Sequence, residues 1–415
     1  MLLKLVKHHF YDKKSLYGKL SIEQFRIFKQ GMETMNYYVK AKTFLLEDGV
    51  KENAYLKVED GKFSAFVDTV PANVQVLDYS GYTVAPGLFD THVHGINGFD
   101  VMDGTKEAIK EMSLAMLPLG VTRFLPTTLT SSKEALEKAI VSVKEATNEG
   151  LKGAQSAGIY LEGPFFTDKY KGAQNPQYFL DPNREDFDYW QKLADGTIVK
   201  IALAPEREGS LPFIKQITDE GVKVALGHTD ASYECCGDAV DHGANIFVHL
   251  FNGMSGLHHR NPGVAGAALI NEKAFAELIC DGHHVHPDVA TFAYKQKQDK
   301  LALITDCMRA GLLEDGQYKL GEFDVTMKDG IARMDNGSLA GSTLLLIDGV
   351  RNLHHWSGES LSKIWHLASL SPAKSLEMDH NYGSIAEGKV ADFVVLNDDI
   401  NVQATALAGE VLYEQ

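Results

Sequence analysis

Eight short apolar segments with β character recur through the middle of this chain: Val84 to Phe89, Val121 to Leu125, Ile159 to Leu161, Val199 to Leu203, Val222 to Leu226, Asn245 to Val248, Ala276 to Ile279 and Leu301 to Ile304. Stretches of helical period, such as Ser131 to Asn148 and Pro287 to Gln298, separate several of them. Eight successive βα units predict a closed parallel barrel, with an open eight-stranded sheet as the alternative. Closure matters for function, because the C-terminal strand ends of a parallel barrel converge on one mouth.

The residues just beyond each apolar run therefore carry the information. In chain order they are His92 and His94, Thr127 and Thr128, Glu162, Glu206, His228, His249, Asp281 with His283 and His284, and Asp306. In Asp90-Thr91-His92-Val93-His94 the two histidines stand two apart, and on extended backbone such a pair points to one face and reaches one cation. His228 and His249 add imidazole nitrogens, and Glu162 adds a hard carboxylate able to bridge two cations. The donor set suits Zn²⁺, Fe²⁺ or Mn²⁺ and disfavours soft thiolate chemistry. Taken singly, each histidine also reads as a buried, hydrogen-bonded core residue; their convergence with Glu162 argues for metal.

A cation with an open position lowers the pKa of water, and hydrolysis of an amide then needs a proton delivered to the departing nitrogen. Asp306 is the candidate acid/base, its alternative being a helix N-cap after the eighth strand. Asn252, Gly253 and Arg260 lie just past His249 and offer amide and guanidinium donors for a phosphate or carboxylate, although a loop arginine is equally readable as solvated. Gly341-Ser342-Thr343 can present backbone donors at a helix start.

Outside the alternating region, Tyr37 to Tyr82 is β-rich and broken by turns such as Glu59-Asp60-Gly61-Lys62, which suggests a small antiparallel sheet. The far end is similar: Ala391 to Leu396 and Val402 to Tyr413 follow a turn at Glu387-Gly388-Lys389. The expected organisation is an α/β protein with a TIM-like (β/α)8 barrel over residues 85–384. A small β-sandwich domain built from both chain ends, 35–84 and 385–415, accompanies it. Residues 1–34 carry seven Lys or Arg against three Asp or Glu and match a transit peptide poorly. They are read as an extension upstream of a start at Met35, outside the fold.

A formal net charge of −16 disfavours general nucleic-acid binding, which needs a basic footprint. No apolar run approaches the length of a membrane span. The four cysteines, Cys235, Cys236, Cys280 and Cys307, form no Cys-x-x-Cys pair, and no secretory signal is evident, which points to the cytoplasm.

Together, Pro86-Gly87-Leu88-Phe89-Asp90-Thr91-His92-Val93-His94-Gly95, Leu161-Glu162-Gly163-Pro164-Phe165-Phe166, Leu226-Gly227-His228-Thr229, His249-Leu250-Phe251-Asn252-Gly253-Met254 and Ile304-Thr305-Asp306 resemble the amidohydrolase superfamily. The Glu-Gly-Pro and His-Leu-Phe-Asn-Gly-Met motifs match its amino-sugar-phosphate deacetylase branch, from Met35 to the C-terminus. The resemblance implies removal of acetate from N-acetyl-D-glucosamine 6-phosphate, giving D-glucosamine 6-phosphate, in amino-sugar catabolism. The galacto epimer is the alternative substrate, and a catalytically silent sugar-phosphate-binding protein is the alternative of another class. By motif match, Glu162, His228 and His249 hold the principal metal, His92 and His94 serve a second, and Asp306 is the acid/base. Ala173, Asn252, Gly253, Arg260, His284, Leu339, Ala340 and Gly341 match substrate contacts, with Arg260 reaching a phosphate across a homodimer. Many members carry histidine where this chain has Gln174, so whether this amide or the metal polarises the acetyl carbonyl stays open.

Overall fold

The computed structural model describes residues 36–415; the expectation for residues 1–34 lies outside them. Eight parallel strands run in sequential order around the molecule: Leu88–Val93, Val121–Thr128, Ile159–Phe165, Ile198–Leu203, Lys223–Leu226, Ile246–Phe247, Phe275–Ile279 and Leu301–Ile304. Both helices named from the sequence are present, as Lys133–Glu149 and Pro287–Lys297; others run over Lys106–Met116 and, after the eighth strand, Leu346–Ser357. Lys133–Glu149 shows why they form: Ser132 caps the Ala135 N–H, and Leu136, Ala139, Ile140, Val143 and Ala146 recur at helical spacing on the buried face.

The sheet closes by two different means. At the lower end Leu367 and Ala368 lie between the first and eighth strands, their carbonyls accepting from the Leu303 and Phe89 N–H groups. At the mouth the strands meet directly: the Asp306 N–H donates to the His92 carbonyl at 2.9 Å, and Val93 bridges Cys307. Asp90 clasps this seam, accepting from the Thr305 hydroxyl at 2.6 Å and from the His92 N–H at 3.3 Å. The open-sheet alternative is thereby excluded.

The first strand departs from expectation in its start. Val84 to Pro86 belongs to the preceding strand, Gln75–Pro86, which lies in the accessory sheet, and Gly87 separates the two. That sheet has seven strands from both chain ends, including Asn36–Leu46 and Phe393–Leu396. It is not wholly antiparallel, because Asn36–Leu46 runs parallel to Gln75–Pro86. Its edge returns on itself, with the Phe63 N–H donating to the Lys389 carbonyl, around a separate core of Val39, Phe44, Leu56, Phe63, Phe393 and Val395.

One element was not anticipated. A three-stranded antiparallel sheet, Gly316–Leu320, Phe323–Lys328 and Ile331–Met334, follows the eighth barrel strand. Val325 and Met327 alternate inward against Leu129, Met308 and Ala340, while Glu322 bonds Asn175 and Tyr178 in the loop after the third barrel strand. It walls one side of the mouth. No helix among the described residues is long and apolar enough to cross a membrane.

Barrel and accessory sheet are tied by Arg123, whose Nε donates to Asp392 Oδ2 at 2.8 Å while its guanidinium stacks 3.7 Å from the Tyr382 ring centre. Both charges are nearly buried. Arg123→Ala strands the Asp392 carboxylate and is expected to lower unfolding stability by about 3 kcal/mol. Urea denaturation reads this, and an unchanged midpoint removes the pair as a link between the two sheets.

Candidate metal centre

His92, His94, Glu162, His228, His249 and Asp306, drawn from the first, third, fifth, sixth and eighth strand ends, meet in one buried cluster at the mouth. Glu162 is its centre. Its Oε1 lies 3.3 Å from His92 Nε2, 3.3 Å from His228 Nε2 and 3.4 Å from His249 Nε2, and its Oε2 lies 3.2 Å from His94 Nε2. The His228 and His249 Nε2 atoms stand 3.2 Å apart. Asp306 Oδ1 completes the cluster, 3.4 Å from His92 Nε2 and 3.3 Å from His94 Nε2.

These separations fit a cation. Donors held about 2.0–2.1 Å from one tetrahedral ion stand roughly 3.3–3.4 Å from one another, as these do. In two groups, His92 with His94 and Glu162, and Glu162 with His228 and His249, the donor atoms all lie within 4.8 Å of one another. The tautomers agree as well. Each imidazole turns its Nδ1 outward: His94 to the Thr127 carbonyl at 3.2 Å, His228 to Tyr170 at 3.1 Å, His249 to Asn252 at 2.9 Å, and His92 to the Glu277 carboxylate at 3.4 Å. With Nδ1–H donating outward, every Nε2 is left to face the cluster, the arrangement of metal-bound histidine.

The backbone accepts strain to build this. His228, His249 and Asp306 have φ of 47°, 29° and 49°, a left-handed region that costs a residue with a Cβ on the order of 1–3 kcal/mol. Gly253, at φ 59°, passes so close that a Cβ there would stand 3.0 Å from His228 Nδ1. Asp306 is no helix cap, since the next helix of the α type begins at Leu346.

The charges are mutually dependent. Burial disfavours ionisation of Glu162, yet the surrounding imidazoles, His92 foremost, hold it well below the usual carboxylate range. Burial acts likewise on Asp306, where His92 and His94 outweigh it and bring the carboxyl to about 2. Conversely, burial disfavours a charged His92, but Glu162 and Asp306 push its imidazole up to about 9. A cation must therefore displace a proton from His92 below that pH, so affinity rises as pH rises towards 9 and falls as pH drops. Calorimetry of Zn²⁺ binding near neutral pH, in two buffers of different ionisation enthalpy, is expected to show release of about one proton or more. Binding without proton release contradicts a protonated His92.

The remaining candidates differ in their surroundings. Asn252 and Gly253 abut the His228 and His249 rings, and Gly341 lies against Asp306, whose carbonyl accepts from the Ser342 N–H at 2.7 Å; Leu339 and Ala340 lead into that contact. His284 is held by Asp281, with Nδ1 to Oδ2 at 2.6 Å. Arg260 lies on an exposed loop with its guanidinium 2.7 Å from His259 Nε2. Gln174, beside Ala173, is buried and engaged: its Nε2 donates to Glu162 Oε2 at 2.7 Å and its Oε1 accepts from the Thr130 N–H. It thus steadies the central carboxylate, which leaves one N–H for any other partner. Glu277 and Lys200 were missed, although an acid and a base inside otherwise apolar barrel strands were a visible signal.

A βα barrel whose mouth gathers four imidazoles around one carboxylate, with a second carboxylate beside them, defines a metal-dependent hydrolase. The chain belongs to the Amidohydrolase family, whose sequence profile matches residues 83–412. It is similar to the N-acetylglucosamine-6-phosphate deacetylase of Vibrio furnissii, at 43% identity over 79% of this chain and 82% of the relative. The N-acetylgalactosamine-6-phosphate deacetylase of Escherichia coli O157:H7 is 37% identical over 91% and 99%. Among solved structures, the N-acetylglucosamine-6-phosphate deacetylase of Pasteurella multocida superposes with a TM-score of 0.86 at 30% identity, covering 92% of this chain and 100% of that one.

Proposed function

We propose that this protein hydrolyses the acetamide of N-acetyl-D-glucosamine 6-phosphate to D-glucosamine 6-phosphate and acetate. The observation that carries the reading is Asp306, a carboxylate 3.3 Å from His94 at the edge of a cluster able to hold cations. Glu162 with His228 and His249, and Glu162 with His92 and His94, would hold divalent metal, which would supply polarisation of the acetyl carbonyl and acidification of water. Asp306 accepts the proton of the attacking water as the C–O bond forms, then delivers it to the sugar nitrogen as the C–N bond breaks. Asn252, Gly253, His284 and the stretch Leu339 to Gly341 orient the sugar phosphate. Gln174 holds Glu162 in place.

On this reading the metal is Zn²⁺, Fe²⁺ or Mn²⁺, the protein works in the cytoplasm, and Arg260 binds the phosphate of a substrate seated in the other subunit of a homodimer. Metal analysis, sedimentation, and the KM of Arg260→Ala test these points. Acetate release by metal-loaded protein tests the reaction itself; none from this substrate overturns it. The similarity to an N-acetylgalactosamine-6-phosphate deacetylase keeps the C4 epimer as a second reading. The two kcat/KM values decide between them, with the gluco substrate expected to be higher.

A further inference from the structure

Directly beneath the cluster, the barrel interior holds a fully buried ion pair of Lys200, on the fourth strand, and Glu277, on the seventh. Barrel interiors are ordinarily filled with branched aliphatic side chains, and a desolvated ion pair is a poor source of stability compared with a well-packed apolar one. The pair is also saturated in a directional way. The Lys200 ammonium donates to Glu277 Oε1 and to the Thr91 carbonyl at 3.3 Å, and it sits 3.8 Å from the Tyr160 ring centre. Glu277 Oε2 faces His92 Nδ1 at 3.4 Å. Tyr160 meets the His92 ring edge-on, with centroids 5.0 Å apart. His92 is thereby gripped through its ring on two sides and through the carbonyl of its neighbour Thr91.

The other three imidazoles lean on backbone carbonyls of Thr127, Tyr170 and Asn252. His92 alone among them leans on a carboxylate, which both locks the tautomer and raises the basicity of the inward nitrogen. We propose that Lys200 and Glu277 are positioning residues for His92, and that their pairing sets the cation affinity of the His92–His94–Glu162 position while leaving the Glu162–His228–His249 position untouched. Lys200 orients the Glu277 carboxylate, and Glu277 orients the imidazole. The proposal rests on the reading that both positions take a divalent cation.

The test is Zn²⁺ titration of metal-free protein by calorimetry, with folding followed by circular dichroism. Wild type is expected to take up two equivalents, the weaker abolished by His94→Ala. The double variant K200M/E277L removes both charges together, so no ion is stranded, and it is expected to weaken that equivalent about 10–100-fold with the tighter one unchanged. K200M/E277Q keeps an acceptor for Nδ1 without its charge and is expected to fall between. Wild-type affinity in both variants overturns the proposal, as does equal weakening of the two equivalents, which marks a merely structural pair. Should the leucine variant not fold, the glutamine variant decides: at least threefold weakening of the His94-dependent equivalent alone supports the proposal, and wild-type affinity overturns it. A wild type with one equivalent, insensitive to His94→Ala, overturns the two-cation reading and the proposal with it. Failure of acetate release with these titrations intact overturns only the assigned reaction.

Discussion

Asp306→Asn is expected to lower kcat for acetate release by about 10²–10⁴-fold, the usual contribution of a positioned acid/base, with the metal content retained. The change is nearly isosteric, and the five side chains able to hold metal stay in place. What goes is the negative charge beside His92 and His94 and the capacity to accept a proton there. Against burial, His92 and His94 hold the carboxyl below the usual carboxylate range, and a general base acts from its ionised form. KM should change little, since the loss falls on the transition state and not on ground-state binding. Steady-state kinetics with parallel metal analysis reads the result. A kcat within about threefold of wild type is too small a loss for a general base and takes Asp306 out of the mechanism.

Glu162→Ala carries the other large effect. This one side chain supplies an oxygen to both candidate metal positions and touches all four imidazoles. Its removal is expected to cost both cations, and with them several kcal/mol of transition-state stabilisation, on the order of 10³-fold or more in kcat/KM. The metal-dependent part of the thermal stability goes too, because a ligand that binds only the native state stabilises it by mass action. His228→Ala separates the positions: it removes one imidazole from the Glu162–His228–His249 group and leaves His92 and His94 with Glu162. Metal analysis and differential scanning calorimetry check both. An E162A protein that keeps two tightly held equivalents refutes the shared-carboxylate arrangement.

The eight strands were legible because barrel strands, covered on both faces, are written as short apolar runs. The candidate ligands were legible because each follows such a run. The boundary at Gly87 was not, since Val84 to Phe89 is apolar throughout and nothing local tells an accessory strand from a barrel strand. The sheet over 316–334 escaped notice for a related reason: its strands of four to six residues are largely exposed and offer only one or two buried side chains each.

Lys200 and Glu277 show the same limit within the site. A charged residue inside an apolar run has no local partner, and the pair lies 77 residues apart in the chain. Gln174 reads as a candidate for the substrate, and its bond to Glu162 emerges only in the fold.

Residue type and spacing alone determined the class of this protein: the βα alternation, the imidazoles and carboxylates at strand ends, and the motifs that place it among amidohydrolases. Tertiary structure decided how those donors are presented. Closure of the sheet brings Asp306 beside His92, left-handed backbone at His228, His249 and Asp306 aims their side chains, and a buried ion pair holds one ring. Patterns of side chains along a strand are local and survive in the sequence. The tautomer of an imidazole, the partner of a carboxylate and the strain of a backbone depend on contacts made only when distant strands meet.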